Sequence, residues 1–381
     1  MRTATSTIIF FLLGACVARL HYVIKKTNDY GISVDGFISD HSGPYQVRIN
    51  RAFDTESKET IRIPVSVEHL ILSDNAGTSE ELKEINSGIY ETSPTGIHGQ
   101  VGNVYKLKIE LTDGRVYESV PDTLLPTGKI DSLYYSYSSV VNSEGALDNG
   151  FDIFVDASRG DGGSRFMWKM TGTFQAETRP ECDNLNCYIL DGKCNFAPAC
   201  SGLLNIGSTA FRNLVRVKPC ECCRCWYKIF NNKLVLSDDQ LNFSGNYNEL
   251  YLHRIPVTPW IFMHKIHVEV SQISLTSNSF RFWKAIRDQK NAIGSLFQPI
   301  TGKIPVNFIQ LNGTASPILG LFYATSINKK SLYILRDNVP RHELLPAPEE
   351  LCAIPPGTIC CRSCLEAFPN ATNVKPAFWI D

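Results

Sequence analysis

The residues best placed to do chemistry are the thirteen cysteines. Twelve fall into three clusters: Cys182, Cys187, Cys194 and Cys200; then Cys220, Cys222, Cys223 and Cys225; then Cys352, Cys360, Cys361 and Cys364. Thiolates at short spacing bind soft metals, and the pairs Cys220/Cys223 and Cys222/Cys225 both have C-x-x-C spacing. A metal-capture site on Cys220, Cys222, Cys223 and Cys225 is therefore one reading. The other is a set of disulfides stapling irregular loops to a β framework. An even cysteine count in an exported chain favours disulfides. Adjacent cysteines such as Cys222 and Cys223 rarely bond to each other. The expectation is that the 182–200 cluster and the 220–225 cluster bond largely to one another. A redox role is disfavoured. A redox C-x-x-C opens a helix, whose N-terminus lowers the thiol pKa, whereas Cys225 leads into the strand-like Trp226-Tyr227-Lys228-Ile229.

Cys16 has a different chemistry. Arg2 and the apolar run Ile8–Leu13 form a secretory signal, too short to span a bilayer. Leu13-Gly14-Ala15-Cys16 matches the bacterial lipoprotein signal. Small residues let the peptidase reach the bond before Cys16, whose thiol and freed amine then take acyl chains. At roughly 0.8 kcal/mol per buried CH2, several chains make a lasting anchor. Membrane lipid, held through the acylated N-terminus, is the first expected partner. Val17 replaces the aspartate that commonly retains lipoproteins at an inner membrane. The expected address is therefore the outer membrane, on either its periplasmic or its extracellular face.

Catalytic constellations do not emerge. There is no G-x-S-x-G and no phosphate-cradling glycine loop before a helix. His264 and His267 are spaced i, i+3 in a strand pattern, so they point to opposite faces and read as surface or cross-strand polar residues. Asp148, Asp152, Asp156 and Asp161 surround Gly-rich turns without calcium-loop spacing. No cofactor is called for. A formal net charge of −1 provides no general pull on nucleic acid. The 43% hydrophobic and 20% charged residues are those of an ordinary globular chain.

The elements that must hold these residues are mainly β. Residues 1–15 are the signal and 16–30 a tether. An N-terminal sandwich, read as Ig-like, spans 31–120 and a linker spans 121–129. A larger β-rich domain covers 130–345, with a cysteine-rich insert at 180–225. A cysteine-containing segment, 346–381, ends the chain. Alternation marks strands at Tyr45–Asn50, Ile61–Val67 and Tyr105–Leu111, with Asp113-Gly114 as a primed hairpin turn. Ser79–Glu84 reads as a helical turn or a loop. Trp226–Phe230 and Leu234–Leu236 read as a hairpin with Asn231-Asn232 at its tip. One amphipathic helix is predicted near 276–292. Ser274 or Thr276 caps it, Phe280, Trp283 and Ile286 share a face that packs on a sheet, and Gly294 stops it.

Several stretches, in order, resemble a Bacteroidota lipoprotein family named for domain of unknown function 4249. They are Val34–Asp40 with Gly43–Val47, Tyr105–Leu107 before Asp113-Gly114 and Tyr117–Ser119, and Cys225-Trp226. Val268–Ser274, Phe282–Lys284, Pro317–Phe322 and the Cys364 region ending in Lys375–Trp379 complete the set. The resemblance implies an outer-membrane lipoprotein with an Ig-like sandwich and a larger β-rich part. It also implies frequent company with TonB-dependent outer-membrane receptors, and it supplies no activity. The chain departs from the pattern in its cysteine-rich 182–225 region and in lacking an acidic cluster after Cys16.

The expected function is that of a non-catalytic accessory or binding component, working with a TonB-dependent receptor in uptake or envelope assembly. The alternatives are an extracellular glycan- or peptide-acting enzyme with a dispersed site, and the metal-capture module on the 220–225 cysteines.

Overall fold

The computed structural model describes residues 31–380 apart from 52–62, 142–143, 160–164, 181–187, 191–192, 196–197, 208–212, 238–244, 293–303, 314–315, 317, 343–344 and 347–360. Cys16, the tether, Cys182, Cys187, Asp161, Gly294, Pro317, Cys352 and Cys360 lie outside the described residues.

The chain is mainly β, as its alternating patterns predict. In the first sandwich one sheet contains β1 (Ile32–Ser39), β2 (Gln46–Arg51), β5 (Lys83–Asn86) and β6 (Ile89–Glu91). The facing sheet contains β3 (Val67–Asp74), β4 (Ser79–Glu81), β7 (Val104–Leu111), β8 (Val116–Ser119) and the short β9 (Asp122–Thr123). Strict alternation along β7 sends Tyr105, Leu107, Ile109 and Leu111 inward, against Val34, Val47, Ile49, Leu70 and Leu72.

The second sandwich packs a three-stranded sheet on a larger one. The first contains β10 (Lys129–Val141), β11 (Leu147–Ser158) and β19 (Asn246–Pro256). The larger one is built on β12 (Phe166–Glu177), β17 (Arg224–Phe230), β18 (Val235–Leu236), β20 (Lys265–Ser274) and β23 (Ile327–Leu335). Phe151, Ile153, Val155, Trp168, Met170, Ile266, Val268 and Val270 form its core. The cysteine-rich insert adds two small ribbons, β13 (Tyr188–Leu190) with β14 (Lys193–Asn195), and β15 (Leu203–Asn205) with β16 (Leu214–Arg216).

The expected division at 121–129 and 130–345 is crossed twice. β9 still pairs with β7, and Leu124 is buried in the first core. Later, β21 (Phe308–Asn312) pairs with β8, and β22 (Ile318–Thr325) pairs in parallel with β1. The first sandwich is therefore completed by residues from far down the chain. Local periodicity cannot reveal such long-range pairing. Gly320 makes the parallel pair possible. It has φ +101°, and a Cβ there would meet the Val34 carbonyl oxygen at 1.8 Å.

Four local expectations are corrected. Ser79–Glu84 forms no helical turn. It contributes β4 and the start of β5, because sheet pairing outweighs the helix propensity of its glutamates and lysine. Ile63–Ser66 carries only one bridge, Asn50 to Pro64, since proline has no N–H to continue a ladder. β17 and β18 do not form a hairpin. Both pair with β12, one after the other along the same edge. Asn231 maintains the edge between them, its N–H donating to the Met170 carbonyl and its Oδ1 accepting from the Met170 N–H. The 111–115 turn is a three-residue loop. Gly114 N–H donates to the Leu111 carbonyl, and only Gly114 within the turn has a positive φ, which excludes a two-residue primed turn.

The helix forms as predicted, as α1 (Ser277–Ala292), and Thr276 Oγ1 accepts from the Ser279 N–H. Its Phe282 and Trp283 pack on Leu321 and Tyr323 of β22 and on Met167 and Ile273 of the second sandwich. Thus α1 is a wedge between the two sandwiches. Beside it lies Asp122, only 3% exposed. Its carboxylate accepts hydrogen bonds from the Thr276 hydroxyl, the Ser279 hydroxyl (3.1 Å) and the Ala324 N–H (3.0 Å). Burial raises its pKa against the pull of these three donors.

Replacing Asp122 with Ala leaves three buried donors from two distant segments unpaired. The expected loss is about 2–4 kcal/mol of unfolding free energy, read by urea titration. Because the folded pKa is raised, the folded state binds the proton more tightly, so wild-type stability falls as pH rises through that window. Asp122→Asn should remove this part of the pH dependence.

Candidate functional site

The 220–225 cluster is the knot from which the site is built. Cys220 bonds to Cys223, Cys200 to Cys222, and Cys225 to Cys364. Cys361 is also disulfide-bonded, and for Cys194 the structure gives only its backbone place on β14. The expectation that the two upstream clusters bond largely to each other is met by one of these bonds. A second stays inside the 220–225 cluster, and the third reaches the C-terminal segment. Proximity explains the difference. Cys220 and Cys223 bracket a tight bend, while Cys225 points into the second core, where Cys364 is also fully buried. All four sulfurs of the metal-capture alternative are in disulfides, so no set of four thiolates exists there. Among the described residues no group of three or more His, Cys, Asp or Glu side chains converges as a metal site.

After the short α2 (Cys364–Ala367), the chain runs back across the outer face of the larger sheet of the second sandwich. Thr372 exchanges two backbone hydrogen bonds with Trp226, and Asn373 Nδ2 donates to the Glu221 carbonyl. Tyr333 donates its hydroxyl to the Phe378 carbonyl. Phe378 stacks on His267 at 4.2 Å, and Trp379 packs against Trp226 and Tyr333. His267 is thereby a buried cross-strand residue opposite Tyr333, and burial lowers its pKa. Residues 371–380 therefore act as a strap, and the Cys225–Cys364 bond fixes where it begins.

Beside this strap lies a groove of about 520 Å³ lined by Gln175, Glu177, Arg224, His264, Lys265 and Trp379, among others. Strand register sets its chemistry. Glu177 on β12 is paired with Arg224 on β17, and His264 directly precedes β20. Glu177 Oε1 accepts from Arg224 Nε (3.0 Å) and Gln175 Nε2 (2.8 Å), and His264 Nε2 is 3.5 Å away. The hydrogen bond to His264, with the Arg224 charge, outweighs burial and lowers the Glu177 carboxyl to about 2. Lys265 Nζ lies over the rings of Tyr333 (5.3 Å) and Trp379 (5.5 Å). Arg336 serves the framework, donating to the carbonyls of Phe262 and Leu345. A second hollow of about 570 Å³, lined by Arg216, Cys220, Glu221, Cys223, Trp226 and Asn373, shares Arg224 with the first.

The two hollows form a trough with fixed charges and two indole rings. Glu177 remains ionised at neutral pH, held by Arg224 and His264. This arrangement suits recognition of a polar surface. Sequence reasoning found the cysteines and His264 but missed Glu177, Arg224 and Trp379 as partners. They come from three distant segments, and no local spacing links them.

The fold and trough define a disulfide-stapled protein of two β-sandwiches, with a wedge helix between them and a C-terminal strap. The chain belongs to the family described as Domain of unknown function (DUF4249), whose model matches residues 19–331. No curated protein matches it.

Two outcomes follow. Glu177 has a folded pKa of about 2 against an ordinary 4.5, so its stabilisation is complete above the latter and lost as pH falls towards the former. Glu177→Gln should flatten the dependence of the thermal midpoint on pH across that window. The Cys225→Ala, Cys364→Ala double variant removes a bond spanning 139 residues. It should lose about 2–4 kcal/mol of stability by denaturant titration. Limited proteolysis should then cut within 361–380 faster than in the wild-type chain.

Proposed function

We propose that this protein is a non-catalytic, lipid-anchored binding component of the outer membrane. Acylated Cys16 holds it there, and the Arg224–Glu177–His264 trough engages a partner, a TonB-dependent receptor in uptake or envelope assembly. The observation that carries this reading is where the trough stands, with Glu177 and Arg224 on paired strands beside a knot of disulfides. Charged side chains already placed by strand register leave less ordering cost when a partner docks. The lipoprotein signal at Leu13–Cys16 supports the address.

The test is a tagged full-length chain, purified from gently solubilised membranes, with mass spectrometry of what accompanies it. A stoichiometric outer-membrane barrel protein is expected. It should be lost with Arg224→Glu, and Cys16→Ser should release the chain from the membrane fraction. A clean, partnerless lipoprotein would overturn the accessory reading.

A further inference from the structure

The second sandwich has another surface, far from the trough in sheet order, that the proposed partner contact does not use. On the outer face of the β10–β11–β19 sheet, Tyr134, Phe154 and Tyr251 stand in register on three neighbouring strands. Their ring centroids are 5.8 Å apart at both steps, and Tyr251 is 44% exposed. Phe154 and Tyr134 lie within 18° of parallel. The result is an aromatic row running across the strands.

Polar rows flank it on both sides. On one side Asp156 accepts from the hydroxyls of Ser132 (2.9 Å) and Tyr134 (3.3 Å) and from the Glu249 N–H (2.8 Å). These bonds, led by the Glu249 N–H, keep its pKa below the usual carboxylate range. On the other side Asp152 accepts from Arg254 Nη1 (2.9 Å) and from the Ser138 hydroxyl (2.5 Å). Arg254 lies flat on the sheet because Gly150 stands beneath it; a Cβ there would come within 2.8 Å of Arg254 Nε.

The backbone is bent to present this row. Register shifts in the β11–β19 pairing fall on both sides of Phe154 and Val155. Glu249, at the bulge, has φ +51°, a conformation that an L side chain seldom adopts. Bulges re-aim side chains, and left-handed non-glycine residues concentrate where a surface is used. Cross-strand aromatic packing alone would need neither.

We propose that this face is a binding platform for a neutral polysaccharide chain. A sugar ring has apolar C–H faces and a rim of hydroxyls that both donate and accept. The aromatic row meets the faces, and the fixed carboxylates, hydroxyls and guanidinium meet the rim. Asp152 is paired with Arg254, whereas Asp156 is held by neutral donors and keeps its negative charge, so the face repels an anionic polymer. Ring spacing set by adjacent strands is of the order of one pyranose unit, so the glycan would lie across the strands. The inference does not depend on the trough or its partner.

Affinity electrophoresis of the full chain tests it, with hydroxyethylcellulose, xylan, galactomannan or soluble starch cast in native gels. At least one should retard the wild-type protein. Tyr251→Ala should weaken that retardation about tenfold or more, while Tyr251→Trp should retain it. Tyr251 is exposed on an outer strand, so an unchanged thermal midpoint will show that the alanine variant is folded. Phe154→Ala supplies a second reading on the central ring. Retardation by none of the four polymers would overturn the proposal. So would equal retardation of wild type and Tyr251→Ala, or retardation by an anionic polysaccharide alone.

Discussion

A buried carboxylate is the contact on which the arrangement of this molecule turns. Asp122 follows the last hairpin of the first sandwich, yet its three donors come from the start of α1 and the end of β22. A carboxylate removed from water is costly, and only converging donors make it tolerable. Asp122 is therefore satisfied only when the chain has built the second sandwich, formed α1 and returned to pair β22 with β1. Serine and threonine hydroxyls extend the same logic nearby. Ser274 Oγ donates to the Leu125 carbonyl and accepts from the Ser326 N–H, and Thr325 Oγ1 donates to the Ser274 carbonyl. The joint is polar and specific, and α1 adds apolar area beside it through Phe282 and Trp283. Hydrophobic burial holds the sandwiches together, and the hydrogen bonds fix how they meet.

The disulfides address a different problem. Among its described residues, the insert between β12 and β17 has two three-residue ribbons and one short 3-10 turn, too little regular structure to bury a core of its own. Cys200–Cys222 ties it to the sheet edge. Cys225–Cys364 ties the C-terminal strap to the same edge, closing a far longer loop. Both bonds arrive within the six residues Cys220–Cys225, so the entry to β17 gathers the insert and the C-terminal segment at one place. The trough is there for this reason: it is the seam between the strap, the insert and the sheet.

The sequence was most legible where structure is local. The alternation of β2 and β7 and the N-cap and face of α1 could all be read from residue spacing. Legibility failed where pairing outranked propensity. Ser79–Glu84 has helix-forming glutamates, yet β4 lies on β3. Asn231-Asn232 has turn chemistry, yet Asn231 spends it on holding a strand edge. The domain boundary failed for a related reason. The edge strands β21 and β22 of the first sandwich pair with β8 and β1 from much earlier in the chain, and periodicity carries no information about partners. The trough was hidden by the same limit, since Glu177, Arg224 and His264 are ordinary residues until sheet register brings them together.

These observations also explain why the two surfaces differ in character. β12 is the central strand of the larger sheet, and its outer face is covered at one end by α1 and at the other by the strap. Functional groups there, Glu177 and Arg224, emerge only at the margin of those covers. They are held by long-range connections, so their geometry depends on disulfides and on the C-terminal segment. The β10–β11–β19 sheet turns only its inner face to the core. Its outer face is shaped within the sheet itself, by the bulges beside Phe154 and by Arg254 of β19 over Gly150 of β11. Loss of the strap would therefore disturb the trough and spare the aromatic row. The chain has separated a surface that depends on its covalent staples from one that depends only on the register of three strands.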